Sequence, residues 1–137
     1  MSDSFPVTIY HNPECGTSRN ALAMIEAAGY RPDIVDYRAV GWSRALLERL
    51  LAITGMRPRD ILREKGAPAA DLGLLDPAVP DDALVDAMIR HPILVNRPIV
   101  VTPRGARLCR PSETVFDLLE RGPVTFRKED GDVVTRG

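Results

Sequence analysis

The sequence is poor in cysteine: Cys15 and Cys109 are its only two in 137 residues, too few for a disulfide framework. Position 18, where the second cysteine of a Cys-X-X-Cys pair would fall, is Ser18, which excludes a self-contained dithiol exchange at Cys15. An excess of one charge sign is also lacking. Lysine plus arginine number 18 against 19 aspartate plus glutamate, for a formal net charge of −1. No global field therefore attracts nucleic acid or an anionic membrane, and any charge-based function is local. No apolar run approaches the roughly 20 residues of a membrane-spanning helix. No basic-then-apolar leader opens the chain, and together with the cysteine usage this points to a reducing cytoplasm. Lysine is scarce as well: apart from Lys65 and Lys128 every basic residue is arginine. A high-GC genome produces that bias without functional meaning, so each arginine needs its own argument.

What is present fits one compact domain over residues 1–137, with 45% hydrophobic and 27% charged residues. Val7-Thr-Ile-Tyr-His11 is β-branched and aromatic and runs into Asn12-Pro13-Glu14, so it predicts a short strand ending in a loop. A helix follows, capped by Thr17 or Ser18, with Ala21, Leu22, Ile25 and Ala28 at helical spacing and Gly29 beyond its end. Residues 33–38 predict a second strand, and Ser43 caps a helix that Gly55 ends. A short helix from Arg59 to Lys65 and a longer one from Asp81 to Pro92 follow. The Ile99–Val101 strand, a turn at Pro103-Arg104-Gly105 and a strand at Ala106–Cys109 read as a β-hairpin. Ser112 caps a last helix, and the tail from Arg127 reads as polar and loosely ordered. The pattern predicts an α/β fold of thioredoxin-like type: a mixed β-sheet flanked by helices, with a helical insertion between the βαβ half and the hairpin.

Chemistry concentrates at Cys15. A cysteine entering a helix faces unpaired backbone N–H groups and the positive end of the helix dipole, and both favour thiolate. The N–H groups of Gly16, Thr17 and Ser18 can also cradle an oxyanion, so one element offers attacking sulfur and anion site together. His11, at the end of the first strand, can lower the thiol pKa further, or can be satisfied by backbone or water. Cys109 precedes Arg110 on the hairpin, and neighbouring strand residues face opposite ways. If Arg110 faces the site, Cys109 packs away from it, and an external thiol must finish any redox cycle. Among the arginines, Arg97 stands out because it precedes Pro98 in an apolar stretch, where a guanidinium needs an anionic or carbonyl-rich partner. Arg63 by itself reads better as one half of an ion pair on a solvated helix face than as a ligand-binding residue, and Arg110 reads equally as a rim residue; Arg19 and Arg107 read best as surface salt bridges.

The segments Tyr10-His-Asn-Pro-Glu-Cys-Gly-Thr-Ser-Arg-Asn20, His91-Pro-Ile-Leu-Val-Asn-Arg-Pro-Ile-Val-Val-Thr-Pro103 and Arg107-Leu-Cys-Arg-Pro-Ser-Glu113 resemble the glutaredoxin-coupled bacterial arsenate reductases. The likeness extends over nearly the whole chain, including Arg59 to Arg63 and Lys128-Glu-Asp-Gly131, and is least distinctive over 66–80. The resemblance implies reduction of arsenate to arsenite, with Cys15 as nucleophile, His11 tuning it, Arg63, Arg97 and Arg110 holding the oxyanion, and Pro98 as a cis-proline opposite the sulfur. It further implies glutathione as co-substrate and glutaredoxin as partner, with no cofactor bound to the enzyme; no metal is expected, and the charge balance already argues against a nucleic-acid or membrane partner. Planar guanidiniums suit such a substrate, because they pair with tetrahedral oxyanions through parallel hydrogen bonds and keep their charge.

Three other readings compete. A regulatory protein of the same fold, of the Spx type that binds RNA polymerase, usually carries Cys-X-X-Cys, which Ser18 breaks. A glutathione-dependent thiol enzyme with another substrate would have an incomplete arginine set. A cysteine phosphatase loop, Cys-X5-Arg, would need arginine where Ala21 stands.

Overall fold

Strand β1 (Thr8–His11) is an inner strand of the four-stranded sheet in the structure, a computed structural model that describes residues 5–122 and 125–135. Its β-branched run pairs in parallel with β2 (Asp33–Asp36), Ile9 lying opposite Ile34, and antiparallel with β3 (Ile99–Thr102), Ile9 lying opposite Val100. Between β1 and β2 the chain forms α1 (Gly16–Ala27). A tight turn at Pro103 and Arg104 joins β3 to β4 (Gly105–Leu108), completing a four-stranded sheet of order β2-β1-β3-β4. A parallel βαβ half continued by an antiparallel hairpin is the thioredoxin-like arrangement that the sequence pattern predicts.

The chain divides into two compact units, one running through Asp36 and resuming at Arg97, the other Tyr37–Asn96. The first holds the sheet. Ile9 and Val100 pack with Ala21, Met24 and Ile25 of α1 and with Val115, Phe116 and Leu119, around a 3-10 helix over Ser112–Leu118. The second unit is the helical insertion: a single turn α2 (Tyr37–Val40), α3 (Arg44–Thr54), a 3-10 turn over Pro58–Ile61, α4 (Asp81–Arg90) and a 3-10 turn over Pro92–Leu94. Ser43 Oγ accepts from the Leu46 N–H at 3.1 Å and Gly55 closes α3 with a left-handed φ of 73°. Arg59 gathers the 66–80 stretch, its guanidinium donating to the carbonyls of Leu74, Asp76 and Val79.

Four local expectations are corrected. The cap of α1 is Cys15 itself, because the Cys15 N–H closes a turn onto the Asn12 carbonyl at 3.0 Å and the helix begins at once; Thr17 and Ser18 lie inside it. The helix expected from Arg59 to Lys65 stops at Ile61. Leu62 is extended and bridges Val95, and the Arg63 N–H bonds the Leu94 carbonyl at 2.7 Å, so tertiary pairing overrides helix propensity. Pro111, not Ser112, precedes the last helix. The tail forms a second sheet, β5 (Thr125–Arg127) with β6 (Val133–Thr135), because Phe126 and Val134 pack on the core cluster. Residues 136–137, part of that tail reading, lie outside the described residues. Among the described residues no helix is long and apolar enough to cross a membrane.

Candidate active site

The alternation of β1 places His11 on the same buried face as Ile9, at the end where the chain leaves for α1. Ser18 lies three residues before Ala21 on the buried stripe of α1, so its hydroxyl points inward and must be satisfied there. It is: Ser18 Oγ accepts from the Asn12 N–H at 3.1 Å and lies 2.6 Å from His11 Nδ1. Asn12 is itself buried, and its Oδ1 accepts from the Glu14 N–H at 2.9 Å, an Asx turn that shapes the loop before the cysteine. Ser18, His11 and Asn12 therefore brace the Cys15 loop from beneath.

Cys15 sits at the helix N-cap with an extended backbone and is 8% exposed. Arg110 Nη1 lies 3.8 Å from its sulfur and also donates to the Arg97 carbonyl at 2.9 Å, so one guanidinium joins the cysteine to the β3 approach. Arg97 is itself 8% exposed. Burial alone pushes the Cys15 thiol up. The Ser18 backbone N–H, the Arg97 and Arg110 side chains and the Arg97 charge outweigh it and bring the thiol down from 9.0 to about 7. Half of the sulfur is then thiolate near neutral pH. Gly16 and Thr17, partly exposed, form the first turn beside it, and a side-chain carbon on Gly16 would meet nothing closer than 3.7 Å.

Cys109 behaves in the opposite way. It is fully buried in the core cluster, and burial pushes its thiol up to about 12. The two neighbours on the chain thus separate, Arg110 to the Cys15 sulfur and Cys109 to the core, but both lie just past the end of β4 and the Arg110 N–H closes a turn onto the Leu108 carbonyl at 3.1 Å, so a turn and not the alternation of a strand parts them. Both cysteines are free.

Of the residues singled out in the sequence, the structure gathers Cys15, His11, Ser18, Arg97 and Arg110 in the first unit. The Arg97–Pro98 peptide is cis, and so is Arg110–Pro111, for which the sequence carried no signal. Arg63 belongs to the second unit, where its Nε donates to the Lys65 carbonyl at 2.8 Å and its Nη1 to Asn96 Oδ1 at 3.2 Å. Arg19 pairs with Glu129 and Arg107 with Asp117, both at the surface. Asn12 is read from the sequence as part of the turn after the first strand but is not singled out there as a site residue, and its buried place beneath the Cys15 loop emerges only in the structure. Among the described residues no group of three or more His, Cys, Asp or Glu side chains could hold a metal ion.

A family profile described as the ArsC family matches residues 10–118. The chain is 57% identical over 131 residues to an arsenate reductase of Rhizobium meliloti, covering 93% of this chain and 92% of that one. It is 54% identical over 129 residues to the arsenate reductase ArsI2 of Synechocystis sp., with 93% and 92% covered. A solved arsenate reductase from Vibrio cholerae superimposes with a TM-score of 0.80 at 40% identity, over 85% of this chain and 100% of that one.

Proposed function

Because the chain belongs to the ArsC family, whose profile spans residues 10–118, we propose that it is an arsenate reductase, converting arsenate to arsenite with Cys15 as nucleophile. The observation that carries this reading is the buried Cys15 thiol held near neutrality under Arg97 and Arg110. A soft nucleophile and hard cationic oxyanion donors stand together, and both are needed at one arsenic atom.

The Cys15 thiolate attacks the arsenic of the dianion while Arg97 and Arg110 hold its oxygens and stabilise charge on the departing one, which leaves as water after protonation. The first-turn N–H groups of Gly16 and Thr17 add neutral donors to the same oxyanion. Arg63 is the third arginine that the family resemblance assigns to it. The His11–Ser18 pair acts from behind, keeping the Ser18 N–H aimed at the sulfur. Glutathione then displaces a second oxygen, again as water, forming an arsenic–sulfur bond. The glutaredoxin thiolate attacks the glutathione sulfur, and the breaking bond leaves its electron pair on arsenic. Arsenic is thereby reduced from the pentavalent to the trivalent state as a glutathione–glutaredoxin disulfide forms. Water releases arsenite and restores the Cys15 thiol. Cys109, buried and held protonated, takes no part. No cofactor is bound in this cycle, and its dependence on glutathione places it in a reducing cytoplasm.

Arsenite production by purified protein with glutathione and glutaredoxin, beside Cys15→Ser, tests the reading. Arsenite from the wild type alone supports it. No arsenite from either protein with any thiol donor overturns it, and activity with thioredoxin alone would keep the reaction but replace the donor.

A further inference from the structure

Residues 128–131 close the β5–β6 hairpin, with the Lys128 N–H bonded to the Asp132 carbonyl at 2.8 Å and the Gly131 N–H to the Lys128 carbonyl at 3.0 Å. Consecutive residues of this turn grip two different segments. The Glu129 carboxylate takes a two-point fork from Arg19, Nε to Oε2 at 2.8 Å and Nη2 to Oε1 at 3.0 Å, and the Glu129 N–H donates to Asn20 Oδ1 at 2.9 Å. Arg19 turns its remaining nitrogen, Nη1, onto the Pro13 carbonyl at 2.8 Å. Lys128 Nζ meets Glu113 at 2.6 Å, three residues after Arg110. The turn therefore reaches the loop and helix turn that carry Cys15 on one side and the segment that carries Arg110 on the other.

We propose that this turn is a strap and that Arg19 and Glu129 are positioning residues for the Cys15 thiol, holding the Pro13–Cys15 loop in register with the Arg110 segment. The proposal rests on Cys15 being the reacting thiol. A fork fixes direction as well as distance, because the planar guanidinium and carboxylate must lie edge to edge. Arg19 spends all three nitrogens on this frame, and the loop carbonyl of Pro13 is held only as firmly as the Glu129 end is held. Surface arginine–carboxylate pairs seldom carry function singly. Here the pair is one of two adjacent anchors, and the second, Lys128–Glu113, has a largely buried lysine.

The sign of one measurement separates positioning from simple charge. Removing the negative Glu129 leaves the Arg19 charge uncompensated near the sulfur, which by field alone would favour thiolate and lower the thiol pKa. Loosening the loop instead weakens the Ser18 N–H and Arg110 contacts that hold the thiolate, and raises it. The pH profile of iodoacetamide alkylation, followed by mass spectrometry on the Cys15 peptide, is to be measured for wild type, Glu129→Ala and the charge-conserving Arg19→Lys. Upward displacement of the midpoint is expected in both variants, with a several-fold slower reaction at pH 6.5. A midpoint that stays or moves down in either folded variant overturns the strap. Circular dichroism reports folding, and if Glu129→Ala does not fold, Arg19→Lys carries the test alone. Alkylation needs no arsenate, so its outcome is independent of whether the protein reduces that ion.

Discussion

Replacing Arg110 by alanine removes a guanidinium whose Nη1 lies 3.8 Å from the Cys15 sulfur. At that separation opposite unit charges attract by roughly 4 kcal/mol at an effective dielectric of about 20, and by roughly 1 kcal/mol in bulk water. Cys15 lies at the first turn of α1 and, as a residue, is 8% exposed; other groups also share in holding the thiolate, so we take a value near the lower end, about 1.4 kcal/mol, which is about one pH unit. Arg97 and the Ser18 N–H remain, and the thiol should move from about 7 to about 8, still short of its ordinary 9.0. Alkylation by iodoacetamide at pH 6.5 should then fall by roughly eightfold, while the two proteins should agree within about twofold at pH 9.5, where both sulfurs are ionised. Arg110→Lys, which keeps the charge, should recover part of the difference. The electrostatic argument fails if the Arg110→Ala midpoint coincides with the wild type. It fails equally if the rate drops by the same factor at both pH values, since that would be lost access and not lost ionisation.

Three further outcomes are expected. A thiol at about 7 in the folded chain against an ordinary 9.0 means that the unfolded chain binds more protons between those values. The Cys15 contribution to stability is then absent below about pH 7, rises with pH and is complete above about 9; urea midpoints of wild type and Cys15→Ser at pH 6 and pH 9 should diverge in that sense. Cys109→Ser should cost about 1–3 kcal/mol, because it places a hydroxyl in a fully buried apolar cluster, yet leave the Cys15 alkylation midpoint where it is; a shifted midpoint would make Cys109 part of the site. Ser18→Ala should destabilise by about 1–3 kcal/mol, since it strands the buried Asn12 N–H and removes the group at His11 Nδ1, and a denaturation midpoint equal to the wild type's would contradict that account.

Much of the site is written locally. The passage from β-branched Val7–Ile9 through Asn12-Pro13 into an amphipathic stretch dictates strand, turn and helix, and so puts Cys15 at a helix start, where short-range geometry makes thiolate favourable. The opposed fates of Cys109 and Arg110 are those expected of neighbours on a strand, although the structure parts them in the turn just past β4. The helix expected at Arg59–Lys65 failed for a non-local reason: pairing of Leu62 with Val95 outweighs the small propensity differences of a short segment. The tail from Arg127 reads as loose because its polar residues mask Val134, which packs with Phe126 of the partner strand against a core built from residues far away in the chain.

By itself, then, the sequence determined the periodicities, the turns, the helix-start cysteine and the absence of a second thiol beside it, because each depends on neighbours within a few bonds or one helical turn. Only the tertiary structure decided which polar groups meet: Arg110 against Cys15, Ser18 beneath His11, and Glu129 on Arg19, pairs up to 110 residues apart in the chain. Chain closure over such distances costs entropy that local preference cannot supply, so packing of the shared apolar core selects those partners.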